Sequence, residues 1–328
     1  TKLMTLLLVF EALEQGIIHP DDRVRTSTYA ASLGGAQIWL EPGEIMPLED
    51  LIKAVAIRSA NDAAVALAEH VAGTHGQFVA LMNRKAQELG LKNTHFTNAH
   101  GLYDPDHYMS AYDVALLSRY IILHYPQLLE LTGRWEDRIR VGSEDEQWLV
   151  NTNKLIKRYE GVDGLKTGWT GPESGYCIAA TAARGATRFI AVIMGGPDSN
   201  TRFDEAAMLL SYGFANFESV KVAAAGAVLG TVMVDEGQKT VVEAVLPETL
   251  GVTVRKGQAD RLERIIRLEE YVTAPVAEGE KVGEVVLRLG DEVVAQADLV
   301  AREAVPRASL WPLFVRQLWR AWPWPRPA

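Results

Sequence analysis

The 328-residue sequence contains one cysteine, Cys177, and only 33 basic side chains against 42 acidic ones. A single cysteine excludes an internal disulfide framework and a multi-cysteine zinc site. It leaves the redox compartment open, because exported proteins often have few cysteines. A net charge of −9 argues against nucleic acid as the main partner. No apolar run approaches the ~20 residues that span a bilayer, which excludes a polytopic membrane protein. Internal repeats and low-complexity segments are absent too, and 48% hydrophobic with 23% charged residues is ordinary for a globular chain. At this length two domains are expected, each able to bury a core. The chain opens Thr1-Lys2 with no methionine and reads as a fragment or a processed form.

The charge is unevenly spread, with a basic end on an otherwise acidic chain. Arg302, Arg307, Arg316, Arg320 and Arg326 face Glu303 alone, and Trp311, Trp319, Trp322 and Trp324 lie in the same tail. Trp311, Phe314, Val315, Leu318, Trp319 and Trp322 recur at helical spacing, with Arg316, Gln317 and Arg320 opposite. Pro312 suits a first turn, and Pro323 and Pro325 end the pattern. The spacing predicts an amphipathic helix lying in a membrane interface, indoles at headgroup level and arginines towards anionic lipid. The alternative is a terminal helix packed on the body or on a partner.

Apolar periodicity predicts helices over Thr1 to about Gln15, stopped by Gly16, and from Asn61 or Asp62 as cap through Val71. Others run over Phe78 to Leu89 and Ala111 to about His124. The first is no signal peptide: its apolar run is short, and Glu11 and Glu14 follow without a small-residue cleavage site. Val162–Thr170, Tyr176–Ala182 and Arg188–Met194 are β-rich runs separated by turn residues, as in a meander. A helix over Thr201 to Leu210 follows. Beyond Phe217 strand patterns take over, at Leu229–Val234, Lys239–Val245, Val252–Val254, Ile265–Leu268, Val282–Leu289 and Val293–Val300. These patterns predict an α+β domain over 1–219, a small all-β domain over 220–306 and a tail over 307–328.

Three short elements stand in a telling order. Lys2 opens a helix, Ser59-Ala60-Asn61 precedes one, and Lys166-Thr167-Gly168 lies on the first strand of the meander. Each alone has a plain reading as a terminal lysine, a turn serine or a strand lysine. Together they match the S-x-x-K, S-x-N and K-T-G elements of serine acyl-transferases that recognise β-lactams. A serine hydroxyl needs a base within hydrogen-bond reach, and a lysine one turn along can serve if burial and a neighbouring cation depress its pKa. His95 and His100 are poorly spaced as metal ligands. Asp104, Asp106 and His107 read as a proline-containing turn. Asn151 and Asn153 are expected to line or brace the cleft, and Cys177 to be a structural thiol. Neither a cofactor nor a metal is expected.

Arg58-Ser59-Ala60-Asn61-Asp62-Ala63-Ala64, Asn93-Thr94-His95-Phe96-Thr97-Asn98-Ala99-His100-Gly101-Leu102 and Val162-Asp163-Gly164-Leu165-Lys166-Thr167-Gly168 carry a resemblance over nearly the whole chain. With Thr1-Lys2-Leu3-Met4-Thr5, Gly195-Gly196 and Arg202, they resemble the low-molecular-mass penicillin-binding proteins of the D-alanyl-D-alanine carboxypeptidase type. The resemblance implies a serine β-lactamase-like transpeptidase fold, a β-rich second domain and a terminal anchor. It implies an exported enzyme at the outer face of the cytoplasmic membrane that trims peptidoglycan stem peptides ending in D-Ala-D-Ala and is blocked by β-lactams. Lys2 would be the base, Ser59 a proton relay and Asn61 a holder of Lys2 or of the substrate amide. The Trp169 N–H would be an oxyanion donor, while Lys166, Thr167 and Arg202 would meet the substrate carboxylate. Many relatives carry histidine where Trp169 stands, so pH dependence is expected to differ. The serine of S-x-x-K would fall two positions before Thr1, so the chain as it stands is expected to be inactive. D,D-endopeptidase or β-lactamase action, and a non-catalytic cell-wall scaffold on the same fold, are the competing expectations.

Overall fold

Helix α1 (Lys2–Glu14) buries Leu3, Met4, Leu6, Leu7, Leu8, Val9 and Ala12. A helix apolar on most of its circumference belongs inside a core, not on its surface. The apolar stripe expected on one side is thus too narrow, since Met4, Leu8 and Val9 are buried as well. Gly16, at φ +69°, takes the left-handed conformation that ends it. The computed structural model describes residues 1–309 and parts into two units, one ending at Ala215 and one beginning at Asn216.

In the first unit α1 is enclosed by α2 (Asn61–Ala72), α3 (His75–Glu88) and α4 (Ala111–His124). Thr74 and Ser110 cap α3 and α4, their hydroxyls accepting the N–H groups of Gln77 and Asp113. No side chain caps α2, contrary to the sequence expectation. Ala60 occupies the cap position, and the Asn61 and Asp62 side chains are drawn elsewhere. The Asp62 carboxylate accepts the backbone N–H groups of Ile38 (3.1 Å) and Leu40 (3.1 Å), fixing the 34–40 loop beside the helix start.

Strands β1 (Val162–Gly168), β2 (Tyr176–Arg184) and β3 (Thr187–Gly196) form an antiparallel meander, with Lys166 opposite Ala179 and Gly168 opposite Cys177. Helix α5 (Ser199–Asn216) covers it through Phe203, Ala206 and Leu210. It runs six residues past the expected end. Gly213, within the added stretch, lets the helix approach Phe189, whose ring lies 2.9 Å from where a Cβ would stand. Three small two-stranded ribbons, such as Glu136–Ile139 with Gln147–Val150, complete the unit.

The second unit is β-rich. Strands β4 (Phe217–Ala223) and β7 (Leu250–Arg255) pair with each other. A six-stranded sheet contains β5 (Val228–Asp235), β6 (Val241–Val245), β8 (Leu262–Leu268), β9 (Tyr271–Thr273), β10 (Lys281–Leu289) and β11 (Glu292–Ala301). Its order is β8-β10-β11-β6-β5-β9, antiparallel except for β5 with β9. Val232, Val242, Val285, Leu287 and Leu299 make its core. Val305 and Arg307 bridge to Val276 and Gly237. The amphipathic helix expected from Trp311 to Trp322 lies outside the described residues.

Candidate active site

A cavity of about 760 Å³ in the first unit brings the three sequence elements together. Lys2, Ser59, Asn61, Lys166, Thr167, Gly168 and Trp169 all line it. Lys2, at the first turn of α1, donates to Asn61 Oδ1 (2.6 Å) and to the His100 carbonyl (2.5 Å). Asn61 in turn donates from Nδ2 to the Gly34 carbonyl (2.7 Å), which fixes its amide and therefore the lysine. Gly35, at φ +81°, leaves room for that amide: a Cβ there would stand 2.9 Å from Nδ2. Burial brings the Lys2 ammonium down from its usual 10.5 to about 7, with the Asp62 charge acting in the opposite sense.

Ser59 ends a five-residue π turn (Ala54–Arg58) and is itself left-handed, at φ +66°. A serine held there carries local strain of the kind that clusters at working sites. The Ala60 N–H reaches back to the Ala54 carbonyl and the Asn61 N–H to Ala36, pinning the segment on both sides.

Lys166 projects from β1 and is buried, its ammonium reaching only the Thr167 carbonyl, at 3.4 Å. Burial first, then the charges of Lys2 and Arg202, bring its pKa down to about 7. Two ammoniums of one cavity therefore titrate near neutrality, and the charge of Lys2 disfavours that of Lys166. The Thr167 hydroxyl meets that of Thr152 at 2.5 Å. Trp169 follows the strand, exposed and stacked on Tyr176 with ring centres 5.8 Å apart. Arg202, from α5, does not line the cavity. It is buried and donates to the Gly168 (2.9 Å) and Cys177 (3.2 Å) carbonyls, tying β1 to β2 directly behind the wall.

The sequence profile of the D-alanyl-D-alanine carboxypeptidases matches residues 1–198, and that of the penicillin-binding protein 5 C-terminal domain matches residues 217–307. The D-alanyl-D-alanine carboxypeptidase DacF of Bacillus subtilis is 41% identical over 310 residues, 94% of this chain and 79% of its own length. The chain belongs to the D-alanyl-D-alanine carboxypeptidase family. Penicillin binding protein 5 from Haemophilus influenzae superposes with a TM-score of 0.80 at 34% identity, over 93% of this chain and 89% of that one. Penicillin-binding protein D2 from Listeria monocytogenes, solved in a cefotaxime-bound form, superposes at 0.55 and 31% identity, over 65% and 85%. The first unit is accordingly the α+β penicillin-binding and β-lactamase-like domain, and the second the β-rich domain that follows it in this family.

Several groups of this carboxypeptidase cavity escape a reading of side chains. The His100 carbonyl that holds Lys2 has no side-chain code. His107 was assigned to a turn, and Asp104 does accept the Asp106 N–H there (2.9 Å). Yet the ring also lines the cavity, accepting the Thr97 N–H on Nδ1 (3.1 Å) with Nε2 2.6 Å from the Thr1 hydroxyl. Burial holds it well below the ordinary imidazole range. Asn151 donates to the Thr132 and Arg134 carbonyls and Asn153 to that of Gly164, so both brace the backbone around β1 while Thr152 between them reaches Thr167. Glu136 is exposed on a ribbon and off the cavity wall, whereas Glu173 lines it. Cys177 is half-buried on the wall, donating to the Ser174 carbonyl. Among the described residues no three His, Cys, Asp or Glu side chains converge as a metal site.

Proposed function

We propose that this cavity performs serine D,D-carboxypeptidase chemistry, releasing the terminal D-alanine of peptidoglycan stem peptides through an acyl-enzyme and accepting β-lactams as covalent inhibitors. The observation that carries the reading is the convergence of Lys2, Asn61 and Lys166 on one cavity, with both ammoniums brought near neutrality by burial. A lysine near pKa 7 is neutral in a large fraction of molecules and can take a proton from a hydroxyl one helical turn before it. Asn61 and the His100 carbonyl orient its lone pair and receive its proton's charge. Ser59 relays a proton to the leaving amine. Lys166 and the Thr167 hydroxyl meet the terminal carboxylate, and Arg202 holds the strand that presents them. The Trp169 N–H serves as one oxyanion donor; loss of such a donor costs ~3 kcal/mol in comparable sites.

The position three residues before Lys2 precedes Thr1, so the test uses the chain extended upstream by its natural residues, with residues 1–328 as the comparison arm. The extended protein should form a stable adduct with a labelled penicillin and release D-alanine from a diacyl-L-Lys-D-Ala-D-Ala peptide. Intact extended protein that forms no adduct would remove the reading in favour of a scaffold role. We further propose an exported protein held at the outer face of the cytoplasmic membrane by the basic, tryptophan-rich segment beyond residue 307. The support is the sequence pattern of that segment, and no helix among the described residues is long and apolar enough to cross a membrane.

A further inference from the structure

Among the described residues lining the cavity, Glu173 is the one carboxylate; the ammoniums there are Lys2 and Lys166. It sits on the turn Gly171-Pro172-Glu173-Ser174-Gly175 that joins β1 to β2, is exposed, and forms no ion pair with another described residue. From these features we infer that Glu173 selects substrates bearing a free side-chain ammonium on the residue that precedes the D-alanine pair. The inference deepens the carboxypeptidase reading and rests on it.

Direction along the wall supplies the argument. With the attacked carbonyl at the Trp169 N–H and the terminal carboxylate at Lys166 and Thr167, the acyl part must run from Trp169 towards the turn. The residue preceding the D-alanine pair then passes Thr170 to Glu173. The alkyl part of its side chain meets the exposed Trp169 indole, and its terminal group comes to the carboxylate. The backbone of the turn that carries Glu173 is braced. The Ser174 hydroxyl accepts the Thr170 N–H at 3.0 Å and lies 3.1 Å from the carbonyls of both Gly171 and Gly175. Gly175, at φ +58°, packs so closely that a Cβ would stand 2.7 Å from the Gly195 backbone. The Glu173 carboxylate stands on this braced backbone. It also offsets the repulsion that an incoming ammonium meets from Lys166.

The test compares diacyl tripeptides X-D-Ala-D-Ala in which X is L-lysine, Nε-acetyl-L-lysine or Nε-succinyl-L-lysine, using the upstream-extended chain. The wild type should prefer the free ammonium over the acetylated side chain by about fivefold in kcat/KM at low salt, as suits one solvent-facing ion pair. That preference should fall as sodium chloride is raised. Glu173→Gln should bring the ratio close to one, and Glu173→Lys should reverse it in favour of the succinylated peptide. A ratio unchanged in both variants, or a wild type without preference, overturns the inference while leaving the carboxypeptidase reading intact. Failure to hydrolyse any of the peptides or to be acylated by penicillin overturns both.

Discussion

Replacing Lys166 by methionine should make the first unit more stable while abolishing its chemistry. Lys166 is 7% exposed, has one long bond to a carbonyl, and feels like charge from Lys2 and Arg202. Its pKa falls from 10.5 to about 7, so the native protein releases a proton that the unfolded chain keeps between those values. Stability rises with pH wherever the unfolded state binds more protons. The penalty of burying the ammonium is therefore complete below pH 7, shrinks through the window and is gone above 10.5. At 1.36 kcal/mol per pH unit its ceiling is about 5 kcal/mol. Methionine is of similar length and adapts to irregular space, and imperfect packing returns about 1 kcal/mol of that. Near pH 6 a net gain of roughly 2–4 kcal/mol is expected. Urea unfolding of wild type and Lys166→Met at pH 6, 8 and 10, followed by tryptophan fluorescence, measures it. The advantage should be largest at pH 6 and small at pH 10, and in the upstream-extended chain the penicillin adduct should be lost throughout. A variant destabilised equally at all three values would refute the account of Lys166 as an unpaired buried cation.

Asn61→Ala leaves Lys2 with one carbonyl partner; a hydrogen bond to a charged group is worth about 1.5–3 kcal/mol, so penicillin acylation should slow by roughly 10- to 100-fold. A thermal melt alongside should show the fold retained. Asp62 is the charge that raises the Lys2 pKa, so Asp62→Asn should move the rising limb of the acylation pH profile to lower pH; a shift to higher pH would contradict the assignment. Gly161, at φ +86°, has room for no side chain: a Cβ would stand 2.3 Å from the Ala183 carbonyl oxygen. Gly161→Ala should therefore cost roughly 3 kcal/mol in chemical unfolding, from strain and clash together. Deleting residues 308–328 should move the protein from the membrane to the soluble fraction without loss of carboxypeptidase activity; retention on membranes would refute the anchor.

Long periodic segments were legible because tertiary packing uses the face that the periodicity marks. The bounds of α4 and the three meander strands follow from apolar spacing and turn residues to within a few positions. Short or strained pieces carry no such pattern. The π turn before Ser59 and the strands β4 and β9 depend on neighbours distant in sequence. Gly213 shows the same limit from the other side, since its lack of a side chain serves a contact with Phe189 and not a helix end.

The site divides along the same line. Lys2, Ser59, Asn61 and Lys166, which line one cavity, were legible as a set because serine acyl-transfer would call for those side chains. What sets their pKa values could not, because it is made of burial and main-chain groups: the carbonyls of Gly34 and His100, and the N–H groups that hold Asp62. The need for two ammoniums without carboxylate partners also explains where the local rules break. Asn61 and Asp62 open α2 without capping it, one being given to Lys2 and the other to the loop behind it. Ser59 accepts a left-handed backbone beside them. An apolar α1, buried on most of its circumference, is what can support these costs, because its packing holds Lys2 in place without any ion pair to do so.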